Sequence, residues 1–203
     1  MAIASLTKFT VPLGQGTAAQ GMLMPKLKYR FRVTFLNFGI SGSTTEMTKM
    51  VKTFARPTVT FEEGTIDIYN SKIKYAGKPS WGDAGLVLRD DATGQVSKLV
   101  GEQLQKQFDF MEQASARSGI DYKFQTNIEI LDGGNGALAP EVLETWELYG
   151  CFLSEANYNE MDYGSSEVME INMTIKFDNA LQKPDGSGVG TNVGRTLGTV
   201  VTG

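Results

Sequence analysis

The chain alternates. From Lys28 to Phe35, the residues Tyr29, Phe31, Val33 and Phe35 fall on one face, and Lys28, Arg30, Arg32 and Thr34 on the other. A period of two over this length predicts a half-buried strand. The same period returns three times. Phe124, Thr126, Ile128 and Ile130 alternate with Lys123, Gln125, Asn127 and Glu129. Trp146 and Leu148 alternate with Thr145, Glu147 and Tyr149. Met169, Ile171, Met173, Ile175 and Phe177 alternate with Glu170, Asn172, Thr174, Lys176 and Asp178. Met47 to Phe54 predicts a further strand of weaker alternation, and Ala55-Arg56-Pro57 turns the chain, because a residue before proline is pushed to extended geometry. Only one stretch changes period. Val96, Leu99, Val100, Leu104, Phe108 and Met111 recur at steps of three and four, which predicts a helix with Thr93 as its N-cap, ending by Gly119. Two-faced strands with one helix predict a mainly β fold: an antiparallel sandwich or barrel-like core with one flanking helix.

A hairpin interrupts this series. Thr65–Tyr69 and Lys72–Ala76 are β-rich runs on either side of Asn70-Ser71, a pair typical of tight turns. A Gly-Lys-Pro break and a third run, Leu86–Arg89, follow. A long hairpin with apolar residues out to its tip must find a neighbour for them. The rest divides by composition into an N-terminal arm at 1–25, a β domain at 26–180 and a Gly-rich tail or arm at 181–203. Asp132-Gly133-Gly134-Asn135-Gly136 reads as a loop.

Composition removes most chemistry. The 203 residues contain no histidine and one cysteine, Cys151. Ser-His and Cys-His nucleophile pairs, Cys-rich metal clusters and intrachain disulfides are thereby excluded. Cys151 has no base to activate it and is expected as a small buried hydrophobe. Glu62-Glu63 and Asp90-Asp91 are adjacent pairs whose side chains diverge on a strand, so neither converges on one substrate atom. Gly186-Ser187-Gly188-Val189-Gly190 lacks the strand and helix of a phosphate-cradling loop. Trp81 and Trp146 are expected to anchor packing. No catalytic residue, cofactor or metal site is expected, and no enzymatic activity. A net charge of -4 argues against a protein that grips nucleic acid. The first residues lack the pattern of a secretory leader, and no apolar run approaches a membrane span.

Several features in order resemble one family: Ala55-Arg56-Pro57, the hairpin with Asn70-Ser71-Lys72-Ile73 at its tip, Ala76-Gly77-Lys78, Trp81 with Asp83, the strand ending Arg89-Asp90-Asp91, then the helix. Across roughly residues 26–180 this is similar to the tail tube proteins of contractile-tailed (T-even-like) bacteriophages. The N-terminal 25 residues and the end after Lys183 exceed that pattern. The resemblance implies a virion structural subunit that forms hexameric rings stacked into a tube. The partners would be further copies of itself, a contractile sheath, and baseplate and tail terminator proteins. Genomic DNA would pass through, without membrane contact. Ile68, Tyr69, Asn70, Ser71, Lys72 and Ile73 would reach the adjacent ring. A conduit for DNA should be polar and neutral to acidic, so the lumen candidates are the outward faces carrying Glu129, Glu144, Glu147, Glu170, Asn172 and Asp178. Lys28, Arg30 and Arg32 should lie elsewhere, paired with acidic groups of a neighbouring subunit. The alternatives are a baseplate tube initiator, a type VI secretion-like tube protein and, from another class, a carbohydrate-binding β-sandwich. The last needs an aromatic platform or a carboxylate pair on one face, and neither is apparent.

Overall fold

A computed structural model describes residues 25–41, 43–132, 140–184 and 188–190. Most of the expected N-terminal arm, the glycine loop after Asp132 and the end of the chain lie outside these residues. The chain divides after Arg30. Before the division, Lys28 and Tyr29 form a turn closed by the Arg30 N–H on the Leu27 carbonyl at 3.2 Å, with the Arg30 guanidinium over the Tyr29 ring at 5.5 Å. The strand predicted from Lys28 therefore starts later, at Phe31.

After the division the elements are β1 (Phe31–Leu36), α1 (Thr45–Met50), β2 (Val51–Phe54), β3 (Val59–Ile68), β4 (Ser71–Trp81), β5 (Ala84–Arg89) and α2 (Gln95–Gln107). They continue with β6 (Phe108–Asp109), β7 (Ala114–Ser115), α3 (Gly119–Tyr122), β8 (Phe124–Leu131), β9 (Val142–Asn157), β10 (Glu170–Lys176) and β11 (Asn179–Pro184). Six strands run in the order β1-β8-β9-β10-β5-β2, all antiparallel, and β11 pairs with β9. β9 is the spine. Its first half, Thr145–Tyr149, lies between β8 and β11, and its second half pairs with β10. Between the halves Gly150 has φ +68°, and a Cβ there would sit 2.1 Å from an Asp178 carboxylate oxygen. A larger residue at that bend would be strained and would have to displace the Asp178 side chain.

The alternation expected of β8, β9 and β10 is met in burial. Val33, Phe35, Ile128, Trp146 and Leu148 from one half of the path meet Leu86, Leu88, Leu153, Ile171, Met173 and Ile175 from the other in a single core. Trp81 packs on Phe177, ring centroids 5.7 Å apart.

Helix α2 adds Val96, Leu99 and Val100 to the core. Its Gln103 is buried, accepting from the Gly39 N–H at 3.1 Å and donating to the Tyr122 carbonyl at 2.7 Å. Gln107 takes both backbone groups of Leu153, accepting its N–H at 2.8 Å and donating to its carbonyl at 2.9 Å.

Three expectations need correction. Thr45–Met50 is a short helix rather than the start of a strand; Met47 is buried, and Glu46 pairs with Lys49 one turn on, at 2.7 Å. Thr93 is not the N-cap of α2. Gly94 holds that position with φ +69°, and the Asp91 carboxylate accepts the Val96 N–H at 3.0 Å, which is how the adjacent aspartates are used. The helix also stops at Gln107, before Phe108 and Met111. Asp109 collects the N–H groups of Met111 and Glu112 at 2.9 and 3.2 Å, a side-chain bond that competes with continuing the helix.

Candidate functional site

The hairpin is longer than its two-residue tip suggests. β3 and β4 pair from Val59↔Trp81 to Ile68↔Ser71 and form a two-stranded sheet of their own. The loop residues are Tyr69 and Asn70, one position earlier than predicted, with Tyr69 at φ +43° and wholly exposed. Alternation gives this ribbon two unlike faces. Ile66 stands opposite Ile73, with Ile68 and Tyr75 beside them, and all four are exposed. The Tyr75 ring lies across Gly64, where any side chain would collide with it. The other face carries Glu63 with Lys74 at 2.7 Å and Asp67 with Lys72 at 3.3 Å. One face is thus neutralised by its own ion pairs, and the other is apolar and uncovered.

The body of the fold presents two outward faces. On the β1-β8-β9-β11 side, Arg32 is directly opposite Glu129 and bonds it at 2.6 Å. Glu147 accepts from Lys183 at 2.7 Å and from the Tyr149 hydroxyl at 2.6 Å. Lys183 holds the Glu147 carboxyl below its ordinary range. Arg32 and Glu129 therefore share a face within one chain, so the expected separation of a basic face from the acidic candidates does not hold.

On the β2-β5-β10-β9 side, cross-strand register builds two rows. Thr53, Val87, Asn172 and Asn157 form one; Gly85, Thr174 and Glu155 form the other. Together they line a groove of about 580 Å³. Among the described residues no cation or donor meets the Glu155 carboxylate. At the borders, Lys52 bonds Glu170 at 2.5 Å and Lys176 lies 3.7 Å from Asp83. Arg89 ends β5 opposite Glu170.

The six sequence candidates are consequently dispersed. Glu129 and Glu147 share the first face, Glu170 and Asn172 the second, and Asp178 sits in the β10–β11 turn, bonded to Lys123 at 2.6 Å. Glu144 corrects the expectation outright. It is 5% exposed, on the same side of β9 as Trp146, whose indole N–H it accepts at 2.7 Å, along with the Gln182 amide at 2.6 Å. Residues an even number apart on a strand share a face, so Glu144 could not stand with Glu147. Glu155 was missed because the β9–β10 register shifts beside Ser154, which resets the alternation.

The single cysteine offers no nucleophile at the surface. Cys151 is buried, and burial pushes its thiol up to about 11. Among the described residues no three Asp, Glu or Cys side chains gather to hold a metal, and no helix is long and apolar enough to cross a membrane. What the surface offers is contact.

By sequence the chain matches no family model and no curated protein. By structure it matches several solved chains. One is from the tube-terminating cap of the anti-feeding prophage, with TM-score 0.61 and 14% identity over 84% of this chain and 99% of that one. Another is from the anti-feeding prophage baseplate, 6-fold symmetrised, with TM-score 0.58 and 15% identity over 80% and 98%. A third is from the sheath–tube complex of an extracellular contractile injection system in its extended state, with TM-score 0.53 and 15% identity over 79% and 92%. The fold is one found in contractile injection systems. The mainly β, antiparallel architecture anticipated from the alternation is thus shared with cap, baseplate and sheath–tube components, whose whole chains it nearly spans.

Proposed function

We propose that this chain is the structural subunit of a hollow tube of the contractile-tail type, repeated in sixfold rings that stack. In the finer form of this reading the tube belongs to a phage virion, is wrapped by a sheath, is bounded by baseplate and terminator proteins, and conducts genomic DNA during ejection. The observation that carries the reading is the amphipathic hairpin. A two-stranded ribbon is marginal alone in water, and this one leaves Ile66, Ile68, Ile73 and Tyr75 uncovered. A second copy stacked on the first would cover them, with Ile68 to Ile73 reaching the adjacent ring. Open strand edges add support: β1, β2 and β11 each pair on one side only among the described residues, and ring closure satisfies such edges.

The match to cap and baseplate chains favours a second reading, a subunit that ends or initiates a tube. Negative-stain microscopy of the purified protein separates the two. Long hollow filaments support the tube subunit, isolated rings support the tube-end role, and a monomer at high concentration overturns both. Deleting Tyr69–Lys72 should leave a folded subunit that forms no long filaments.

A further inference from the structure

We infer that the small β6–β7 hairpin, with Phe108, Phe110 and Met111, seats in a cleft on the β3–β4 hairpin of a neighbouring copy in the same ring. This rests on the tube reading and adds to it the side-by-side contact that closes a ring, as distinct from the end-to-end contact of the hairpin tip.

Both surfaces are preformed. β6 and β7 pair at Phe108↔Ser115 and Asp109↔Ala114. Asp109 fixes the turn between them, accepting from the Met111 and Glu112 N–H groups and from the Gln105 amide at 2.8 Å. Phe108 and Phe110 meet edge to face, ring centroids 5.4 Å apart. Phe110 is nevertheless 62% exposed and Met111 92%. Local bonds thus hold an apolar knob out in water, and a knob already ordered gives up little freedom on binding. The cleft, of about 290 Å³, lies where the β3–β4 register shifts between Phe61 and Glu63, and is lined by Phe61, Glu62, Glu63, Lys74, Tyr75 and Ala76. Two aromatic rings beside an alanine suit a phenylalanine ring or a methionine sulfur.

The fold sets knob and cleft at the same end of one sheet and on its opposite borders. Ala84, Ile175 and Leu153 form a single cross-strand row. Gln107 bonds Leu153 at one end of the row, and the knob follows it directly. At the other end, just before Ala84, Trp81 pairs with Val59 at the foot of the hairpin. Within one chain, β10 and β5 stand between the two. Between copies set side by side they form a heterologous contact, in which each copy gives a knob and receives one, and repetition at one level closes a ring. Charge agrees with that pairing. Arg117 is exposed just past β7, and Glu62 is exposed on the cleft wall, where Glu63 already holds Lys74 at 2.7 Å. Ile66, Ile68 and Ile73 lie further towards the tip and remain for the adjacent ring.

The test joins the two surfaces with a short bis-maleimide. Cys151 is the single cysteine and is buried, so only introduced thiols react. Met111→Cys with Phe61→Cys replaces two exposed side chains. In assemblies confirmed by microscopy, this double variant should give a ladder of covalent oligomers on denaturing gels that ends at one largest species, the closed ring. Each single variant should stay monomeric. A ladder without an upper end would place the contact between rings, and a link within one chain would make it internal; either overturns the inference. Rings with no cross-link would overturn it too and leave the tube reading standing. If the unsubstituted protein forms neither rings nor tubes, both fall together. Independently, Phe110→Ser with Met111→Ser should abolish rings, whereas Ile66→Ser with Ile73→Ser should keep rings and lose only filaments. Rings formed by the Phe110 and Met111 variant at the concentration the unsubstituted protein needs would refute the contact.

Discussion

The β3–β4 hairpin and the β8–β9 pair are written in the same pattern and end in opposite environments. Ile66 and Ile73 face one another across an antiparallel ladder, and so do Ile128 and Trp146. In β8–β9 the apolar side is buried in the core; in the hairpin it is open to water. Period two states only that one side of a strand differs from the other. What covers the apolar side depends on the elements packed against it, and among the described residues Ile66, Ile68, Ile73 and Tyr75 of the hairpin stay exposed.

The sharpest way to break the comparison is to damage the covered region. Leu148 is fully buried on β9. Leu148→Ala should cost about 2–5 kcal/mol in urea denaturation, the transfer term plus a cavity. A loss near zero would mean the body is no better covered than the hairpin.

The next effect in size concerns how α2 holds the loop after β1. Glu102 accepts from the Ser41 hydroxyl and from the N–H groups of Ile40 and Ser41, both at 2.8 Å, and these bonds lower its pKa to about 2 from 4.5. The unfolded chain takes up the proton first as pH falls. The stabilisation by Glu102 is therefore complete above pH 4.5 and is lost as the pH drops to about 2. Glu102→Gln should destabilise at neutral pH by on the order of 1 kcal/mol, and the gap to the unsubstituted protein should close on acidification. A gap independent of pH would assign the effect to packing instead.

The smallest change in stability is expected where nothing is covered. Ile66→Ser with Ile73→Ser should alter the unfolding free energy of the dissociated subunit by less than about 0.5 kcal/mol. The same double variant should fail to form filaments. If it loses stability like a core variant, the hairpin's apolar face is already covered within one subunit.

Much of the fold was legible because burial repeats. The phases of β1, β8 and β10 follow from residues such as Val33, Ile128 and Met173, each buried as its strand position requires. The legible part stops where a local bond overrides the repeat. Asp109 ends α2 before Met111, and Asp91 rather than Thr93 caps its start. Thr45–Met50 is too short for either period to declare itself, and the buried Met47 decides its place. The candidate lumen faces were less legible than the fold. Charge along the chain does not signal that Arg32 meets Glu129, since that depends on which strand lies next to which. Glu144 looked like its neighbour Glu147, and the parity of its position put it in the core.

Gln107 has a consequence beyond α2. Beside Leu153, where β8 no longer continues along β9, its amide supplies both the donor and the acceptor that a passing strand would offer. It acts as a strand one residue wide. A ladder finished by a side chain of the same molecule is sealed from within, before any other subunit is met. A chain in solution thereby loses one site for accidental edge pairing.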